Sequence, residues 1–177
     1  LHGLLWSGEM FRAQIDALKG AHRCVALDFR GQGKSEITRD GYDMETLFAD
    51  PVALIESLSL APCHVVGLSM GGFVAMRLAA RRPDLVRTLV LLETSADAEP
   101  AENVPRYRKL NVIARWLGLG LVAGKVMPIL FGKTFLGDPA RAELRALWKK
   151  HLTGNHKIGI TRAVTGVIER KPIYDEL

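Results

Sequence analysis

The residues of this 177-residue chain best suited to chemistry lie in the stretch VVGLSMGG, residues 65–72. Residues 67–71 (GLSMG) match the pattern Gly-x-Ser-x-Gly, in which a serine occupies a sharp turn between a strand and a helix. A serine held there projects its hydroxyl above the sheet and can attack a carbonyl carbon. The N–H of Met70 would lie at a helix N-terminus, where it can stabilise a developing oxyanion. The alternative is a plain turn without chemistry.

The residues around the motif favour the catalytic turn. An apolar run at 63–67 predicts a strand that ends at the motif, and an alanine-rich run at 70–80 predicts a helix that starts directly after Ser69. This strand–turn–helix setting is the one the motif requires. We therefore expect Ser69 to be a nucleophile and the backbone N–H of Met70 to be an oxyanion donor.

The first half of the chain alternates between predicted strands and helices. Strands are predicted at 24–29 (CVALDF), 63–67 and 86–93 (VRTLVLLE), and helices at 9–18, 44–58 and 70–80. This alternation predicts an α/β fold with a parallel sheet between layers of helices. Within 44–58 we expect a turn ending at Asp50, which caps a new helix starting at Pro51, because proline inside a helix costs about 3 kcal/mol.

The pattern changes after Glu93. Residues 104–171 contain no clear strand pattern, and helices are predicted at 105–117, 119–130, 139–152 and 157–170. Residues 1–99 hold 10 Lys and Arg against 13 Asp and Glu, whereas residues 100–177 hold 14 against 6. This shift marks a boundary near Pro100. For the excess of basic residues in 100–177, we favour the interpretation that they form the solvated faces of amphipathic helices. A surface that attracts anions is the alternative.

Composition argues against several classes of protein. No uncharged apolar run reaches about 18 residues, so no transmembrane span is predicted, and no signal peptide is recognised. The basic residues are scattered without interleaved aromatics, which argues against nucleic-acid binding. Cys24 and Cys63 lack metal-ligand spacing and a disulfide-rich setting, so we expect buried thiols in a reducing, cytoplasmic compartment. No metal or organic cofactor is implied.

Four stretches together resemble the α/β-hydrolase superfamily: LHG (1–3), DFRGQGKSE (28–36), HVVGLSMGG (64–72) and RTLVLLETSA (87–96). They follow that family's usual order and roughly its usual spacing. The resemblance implies a partial α/β-hydrolase fold, with residues 1–99 as the N-terminal part of the core, 100–172 as a helical cap and 173–177 as the start of the linker back to the core. Among subgroups, the chain is similar to the capped esterase, enol-lactonase and cofactor-free haloperoxidase cluster.

The resemblance implies a role for each residue that matches the family's oxyanion hole and nucleophile. Ser69 corresponds to the nucleophile, and the N–H groups of Met70 and Leu4 correspond to the two oxyanion donors. His2 then braces the oxyanion loop and takes no proton in the reaction. The alternative for His2 is a frayed histidine without a partner.

The glycine-rich loop after residues 24–29 is expected to be structural. The resemblance implies that Asp28 and Arg30 stabilise this loop, with an oxyanion-binding role for Arg30 as the alternative. The Gly31-x-Gly33 pattern lacks the third glycine and the Lys-Ser/Thr ending of phosphate-binding loops, so a phosphate site is not favoured.

The base and the acid are harder to find. In the family the order is Ser, then Asp or Glu, then His. The resemblance expects the acid and the histidine beyond residue 177, and the strand leading into LHG before residue 1. We therefore expect this chain to be a piece of a larger protein, inactive by itself. Glu93 is a candidate acid, with a hinge or hydrogen-bonding role as the alternative. His22 and His64 are expected near strand starts, and His151 and His156 on the surface of the cap, with service of a cap histidine as the base as the alternative.

These features predict a serine hydrolase that cleaves a small carboxylic ester or lactone through an acyl-enzyme intermediate. Perhydrolase or haloperoxidase activity with the same residues is one alternative, and a non-catalytic small-molecule binding protein on the same scaffold is another. Five apolar residues of the helical region are candidates for the substrate pocket, although packing between helices is the stronger expectation for each: Trp116, Met127, Phe131, Phe135 and Trp148.

Overall fold

Two parallel strands, β1 (Cys63–Leu68) and β2 (Val86–Leu92), form the sheet of the computed structural model, which describes residues 1–177. Helix α3 (Met70–Arg81) connects them and confirms the predicted strand–helix–strand unit. Gly67 pairs with Leu91, so both strands end at the same edge, and Ser69 follows β1 there. Ser69 therefore lies at the carboxyl edge of the sheet, which is the edge where ligands of parallel sheets generally bind.

The strand predicted at 24–29 is wrong, since these residues have no regular secondary structure. The backbone beside β1 belongs to Leu1: its nitrogen donates to the carbonyl of Val66 at 2.6 Å, and its carbonyl accepts from the N–H of Leu68 at 3.1 Å. Residues 24–29 therefore have no neighbouring strand with which to form a ladder, and an apolar run without a backbone partner is not a strand.

The two cysteines are free and half-buried, so the expectation of buried thiols is wrong. Cys24 begins the run 24–29, which has no regular secondary structure, and its neighbours Arg23 and Val25 are exposed. Cys63 begins β1, and its Sγ lies 3.6 Å from the carbonyl oxygen of Leu85. Burial raises the pKa of the Cys63 thiol, which keeps it in the less nucleophilic protonated form near neutral pH.

Helix α1 (Arg12–Leu18) follows a short 3₁₀ turn, whereas α2 (Met44–Ser57) runs unbroken through Pro51, where the sequence predicted a new helix. The cap of α2 is Asp43, whose carboxylate accepts the N–H of Thr46 at 2.9 Å. Asp50 lies inside α2, where it pairs with Arg30 and does not cap a helix. Pro51 is buried, and burial of its ring offsets the helix hydrogen bond that it cannot make.

Residues 104–168, which we call the helical segment, consist of α4 (Val104–Leu117), α5 (Leu119–Leu130), α6 (Lys133–Gly137), α7 (Ala142–Gly154) and α8 (Lys157–Ile168). Four of these lie where the sequence predicted helices, and the short α6 is additional. Helix α4 packs on α5 and α8, and α5 packs on α7. No helix anywhere in the chain is both long enough and apolar enough to cross a membrane.

Leu5 and Trp6 join the start of the chain to the helical segment. Both are buried in one cluster with side chains from α4, α5, α7 and α8: Ala114, Leu119, Val122, Ala123, Met127, Leu152 and Ile160. The Trp6 ring meets those of Phe131 and Trp148 edge-on, with centroids 5.8 and 5.0 Å apart. A buried leucine side chain alone contributes about 1.5–3 kcal/mol, so this cluster holds the loop that follows Gly3 firmly against the helices.

Two glycines of α8 allow it to contact the backbone of the α/β part directly. A Cβ placed on Gly159 would lie 2.2 Å from the carbonyl oxygen of Gly31, and one placed on Gly166 would lie 1.9 Å from that of Tyr42. Ala163 lies between them at helical spacing and is fully buried. This face of α8 therefore consists of small residues because backbone lies against it.

We expect Gly166→Ala to lower the free energy of unfolding by about 2–3 kcal/mol, because the added methyl overlaps a carbonyl oxygen that cannot move by itself. The matched control is Gly124→Ala in α5, where a Cβ would meet nothing within 4 Å. That change should be neutral or stabilising by up to about 1 kcal/mol, since alanine is the better helix former. Denaturant unfolding of the whole protein measures both, and equal effects would contradict the proposed close contact.

Candidate active site

Ser69 lies in a strained turn between β1 and α3. Its φ of +50° and ψ of −116° are rare for a residue with a side chain, and such conformations cost about 1–3 kcal/mol. Backbone hydrogen bonds hold it there: the Ser69 N–H donates to the carbonyl of Leu92 at 2.9 Å, and its carbonyl accepts from Gly72 at 2.8 Å and Phe73 at 3.1 Å. The turn is thus fixed by β2 on one side and by the first turn of α3 on the other.

The glycines of the motif are required by close approaches. A Cβ on Gly67 would lie 2.6 Å from the carbonyl oxygen of Gly71, across the turn. A Cβ on Gly71 would lie 2.2 Å from the carbonyl oxygen of Leu1. The first residues of the chain therefore pass directly against the N-terminus of α3, beside the nucleophile candidate.

Gly3 and Leu4 lie next to the same turn. A Cβ on Gly3 would lie 2.8 Å from the Leu68 Cδ2 and 3.6 Å from the Ser69 Cβ. The N–H of Leu4 makes no hydrogen bond within the chain. The N–H of Met70 is at the first position of α3, where helix N–H groups have no partner inside the helix. The N–H groups of Leu4 and Met70 thus have no partner in the chain and belong to segments next to Ser69, which makes them the candidate oxyanion donors.

His2 is fully buried and uses both ring nitrogens. Its Nε2 accepts the N–H of Phe29 at 2.9 Å, so the proton lies on Nδ1, which donates to the carbonyl of Gly3 at 2.7 Å. Burial lowers the pKa of His2 to about 4, so the ring is neutral near pH 7. The Gly3 carbonyl shares its peptide plane with the N–H of Leu4. His2 therefore orients that candidate donor and, with both nitrogens occupied, is not a base for Ser69.

Asp28 and Arg30 stabilise their loop. The Asp28 carboxylate accepts the N–H groups of Gly8 at 2.7 Å and Lys34 at 2.9 Å. The Arg30 Nε donates to the Asp50 carboxylate at 3.0 Å, and this pairing raises the pKa of Arg30. The guanidinium of Arg30 is thus engaged in an ion pair, which supports the structural role over oxyanion binding.

Three residues around the turn were missed by the sequence analysis. Thr94 donates its hydroxyl to the Ser69 carbonyl at 2.9 Å. Gln32 accepts the N–H of Leu5 at 2.8 Å, and Asn155 donates to the Leu5 carbonyl at 2.9 Å. The only signals were positional: Thr94 follows a predicted strand, Gln32 lies within the glycine-rich loop, and Asn155 follows a predicted helix.

No hydrogen bond joins Ser69 to Glu93 or to any histidine. Glu93 directly follows β2 with a φ of +45°, is exposed, and makes no side-chain hydrogen bond, so its role as the acid stays a prediction. His22 and His64 lie together at the opposite end of β1, with ring centroids 6.1 Å apart. His151 and His156 border a cleft of about 480 Å³ beside Leu5, Trp6 and Ser7, and Ser69 does not line it.

Four of the five apolar candidates pack within the helical segment. Met127, Phe131 and Trp148 belong to or surround the cluster that buries Leu5 and Trp6, and Phe135 stacks on Phe131 with centroids 4.8 Å apart. Trp116 is 76% exposed. Packing is thus the observed role of these four.

A cavity of about 860 Å³ lies between α2, α3, α4 and α8, and its lining includes none of the residues assigned to the nucleophile or the oxyanion donors. Its walls are mostly charged. No three histidine, cysteine, aspartate or glutamate side chains lie close enough together to hold a metal ion.

Stability should fall as the pH drops from 6.5 to about 4, because the unfolded chain binds a proton at His2 in this window and the folded chain does not. Above pH 6.5 His2 is neutral in both the folded and the unfolded chain, so its titration no longer lowers the free energy of unfolding. The slope is about 1.4 kcal/mol per pH unit and the total loss about 3 kcal/mol. Denaturant unfolding between pH 4 and 7 measures it.

His2→Gln should flatten this pH dependence relative to the unsubstituted protein, because glutamine does not titrate. The control is His156→Gln, which changes an exposed histidine without side-chain hydrogen bonds. If the pH dependence of unfolding is the same for both variants, His2 is not the buried neutral ring described above.

The family model of the alpha/beta hydrolase fold matches residues 1–117. A Mycobacterium tuberculosis protein, BpoC, named as a candidate non-heme bromoperoxidase, is 44% identical over 77 residues, which cover 44% of this chain and 29% of that protein. A thermophilic esterase from Thermogutta terrifontis superposes with a TM-score of 0.88 at 29% identity, over 99% of this chain and 64% of that one.

An enol-lactonase from Burkholderia xenovorans superposes with a TM-score of 0.85 at 25% identity, over 98% of this chain and 65% of that one. The chain thus spans about two thirds of the length of these two enzymes. The similarity extends beyond the residues around Ser69, since it includes the helical segment. The match over residues 1–117, together with the turn at Ser69, establishes that the chain belongs to the α/β-hydrolase fold family.

Proposed function

We propose that the whole protein is a serine hydrolase that cleaves a small carboxylic ester or lactone, with Ser69 as the nucleophile. The observation that carries this proposal is the position of Ser69. It lies in a strained turn at the carboxyl edge of the sheet, with Gly3 beside it and the N-terminus of α3 directly after it. Strain of this kind persists where surrounding structure enforces it, and it concentrates at catalytic residues.

In the proposed reaction the Ser69 Oγ attacks the carbonyl carbon of the substrate and loses its proton to a base. The N–H groups of Leu4 and Met70 stabilise the negative charge on the carbonyl oxygen. The tetrahedral intermediate then expels the alcohol, which takes the proton from the base, and an acyl-enzyme remains. Water, activated by the same base, releases the carboxylic acid and regenerates Ser69.

We infer that the base is a group other than the five histidines of this chain. The ring of His2 is occupied, and no hydrogen bond joins the Ser69 hydroxyl to any of the five histidines. We propose that residues flanking this chain supply the histidine, and that the acid is Glu93 or a residue flanking the chain. On this proposal the 177-residue chain alone has negligible turnover.

The relatives support the substrate class. Two solved relatives are named as an esterase and an enol-lactonase, which supports an ester or lactone as the substrate class. The helical segment would then cover the nucleophile as a cap and shape the pocket. A second candidate activity is peroxide-dependent chemistry with the same Ser69, which the 44% identity to BpoC favours.

We expect Ser69→Ala to lower the turnover of nitrophenyl esters by the whole protein at least about 10³-fold, because the change removes the proposed nucleophile. Initial rates at several ester concentrations measure it. The control is Ser57→Ala at the exposed end of α2, which should leave the rate unchanged.

A fluorophosphonate probe separates catalysis from mere binding, since it forms a covalent bond only with an activated serine. Labelling of Ser69, located by mass spectrometry and absent from Ser69→Ala, supports the hydrolase. An unlabelled Ser69 in a whole protein that still binds small esters would instead favour the non-catalytic binding protein.

A further inference from the structure

Leu5 has the same kind of strained backbone as Ser69. Its φ is +73°, although it is a leucine and is 8% exposed. A branched side chain in this region costs about 1–3 kcal/mol, so other contacts must hold the residue in place. Leu5 directly follows Leu4, whose N–H is a proposed oxyanion donor.

Both backbone polar groups of Leu5 are held by side chains from other parts of the fold. Its N–H donates to the Gln32 Oε1 at 2.8 Å, and its carbonyl accepts from the Asn155 Nδ2 at 2.9 Å. Gln32 lies in the loop after residues 24–29, and Asn155 lies at the end of α7. The two side chains therefore approach Leu5 from the α/β part and from the helical segment.

Gln32 also contacts the second proposed donor residue. It is 2% exposed, and its Nε2 lies 3.8 Å from the Sδ of Met70. One amide thus bridges the residue after Leu4 and the side chain of Met70. A buried amide held at both ends fixes the spacing of the groups that it joins.

Asn155 links this loop to the helices. The same Nδ2 that reaches Leu5 also lies 3.0 Å from the carbonyl of His151 and 3.2 Å from that of Leu152, at the C-terminus of α7. The side chain of Leu5 is buried in the cluster of the helical segment. If α7 moved away from the α/β part, the Leu5 carbonyl would lose its partner and its side chain would lose its cover.

We propose that Gln32 and Asn155 are positioning residues that hold the Leu4 N–H in the oxyanion hole by clamping the backbone of Leu5. The Asn155 contact makes the geometry of the hole depend on the docking of α7. This inference rests on the proposed function, because a positioned donor matters only if an oxyanion forms beside Ser69. We expect neither Gln32 nor Asn155 to contact the substrate.

The first test is the ester turnover of Asn155→Ala in the whole protein. Losing an oxyanion donor costs about 10²–10³-fold in kcat, and loosening one should cost less, so we expect kcat to fall about 10-fold with KM within about twofold. The matched control is Asn111→Ala, which removes an amide that donates to the carbonyl of Thr161 inside the helical segment, away from Leu5. Its kcat should stay within about twofold.

Gln32→Met keeps the length of the side chain and removes the amide carbonyl, and we expect a similar fall in kcat. Because both side chains act through Leu5, the double variant should lose less than the product of the two single losses. An Asn155→Ala kcat within twofold of the unsubstituted protein, or a loss equal to that of Asn111→Ala, would overturn the proposal.

Hydrogen exchange at the Leu5 amide tests the clamp without any substrate. Protection of this amide should fall at least about 10-fold in Gln32→Met and remain in Asn111→Ala, because only the first removes its acceptor. If no ester is turned over and the exchange result still holds, the proposed function fails while the clamp stands. Unchanged protection in Gln32→Met would refute the clamp itself.

Discussion

The burial of Leu5 and Trp6 among the helices is the contact on which the arrangement around Ser69 depends. These two residues belong to the loop that carries Leu4, yet their side chains lie in the core of the helical segment. The apolar surface that they remove from water stabilises the docking of the helices and, by the same contacts, fixes the loop beside α3. A change in this packing would therefore alter both stability and the geometry next to Ser69.

Close contacts between backbone segments, made possible by glycines, also hold the elements together. Gly71 lets the first residues of the chain cross α3, and Gly166 lets α8 rest on the carbonyl of Tyr42. At each place a methyl group would meet a carbonyl oxygen, which cannot rotate away as a side chain can. Because such close packing allows little sliding between the elements, it fixes the positions of the helices relative to the turn at Ser69.

Sequence patterns identified the strands, most helices and the turn because those features are local. The strand–turn–helix at Ser69 needs only glycine spacing and two apolar runs, and the helices of 104–168 need only periodicity and a start signal such as Asp138 before Pro139. The failures came from partners distant in sequence. Residues 24–29 have a strand's composition but no neighbour to pair with, and Pro51 is tolerated inside α2 because its ring is buried.

The residues of the candidate site also divide into those predictable from local sequence or family resemblance and those that depend on distant partners. Ser69 and Met70 follow from a motif, and His2, Leu4 and Asp28 follow from a family resemblance. Gln32 and Asn155 could not be found by either route. Glutamine in a glycine-rich loop and asparagine after a helix are common for local reasons, since Asn often ends helices. Their shared target, Leu5, becomes visible only when the fold brings residues 5, 32 and 155 together.

Backbone strain connects these observations. Four residues other than glycine have a positive φ, and three of them, Leu5, Ser69 and Glu93, lie in the loops beside the carboxyl edge of the sheet. Local preference opposes each of these conformations, so each must be enforced by contacts elsewhere. For Ser69 these are hydrogen bonds with Leu92 and with the first turn of α3, and for Leu5 they are two side-chain amides. Two of these enforced conformations, at Leu5 and Ser69, lie in the segments that carry the proposed donor and the proposed nucleophile, where the proposed chemistry needs fixed geometry.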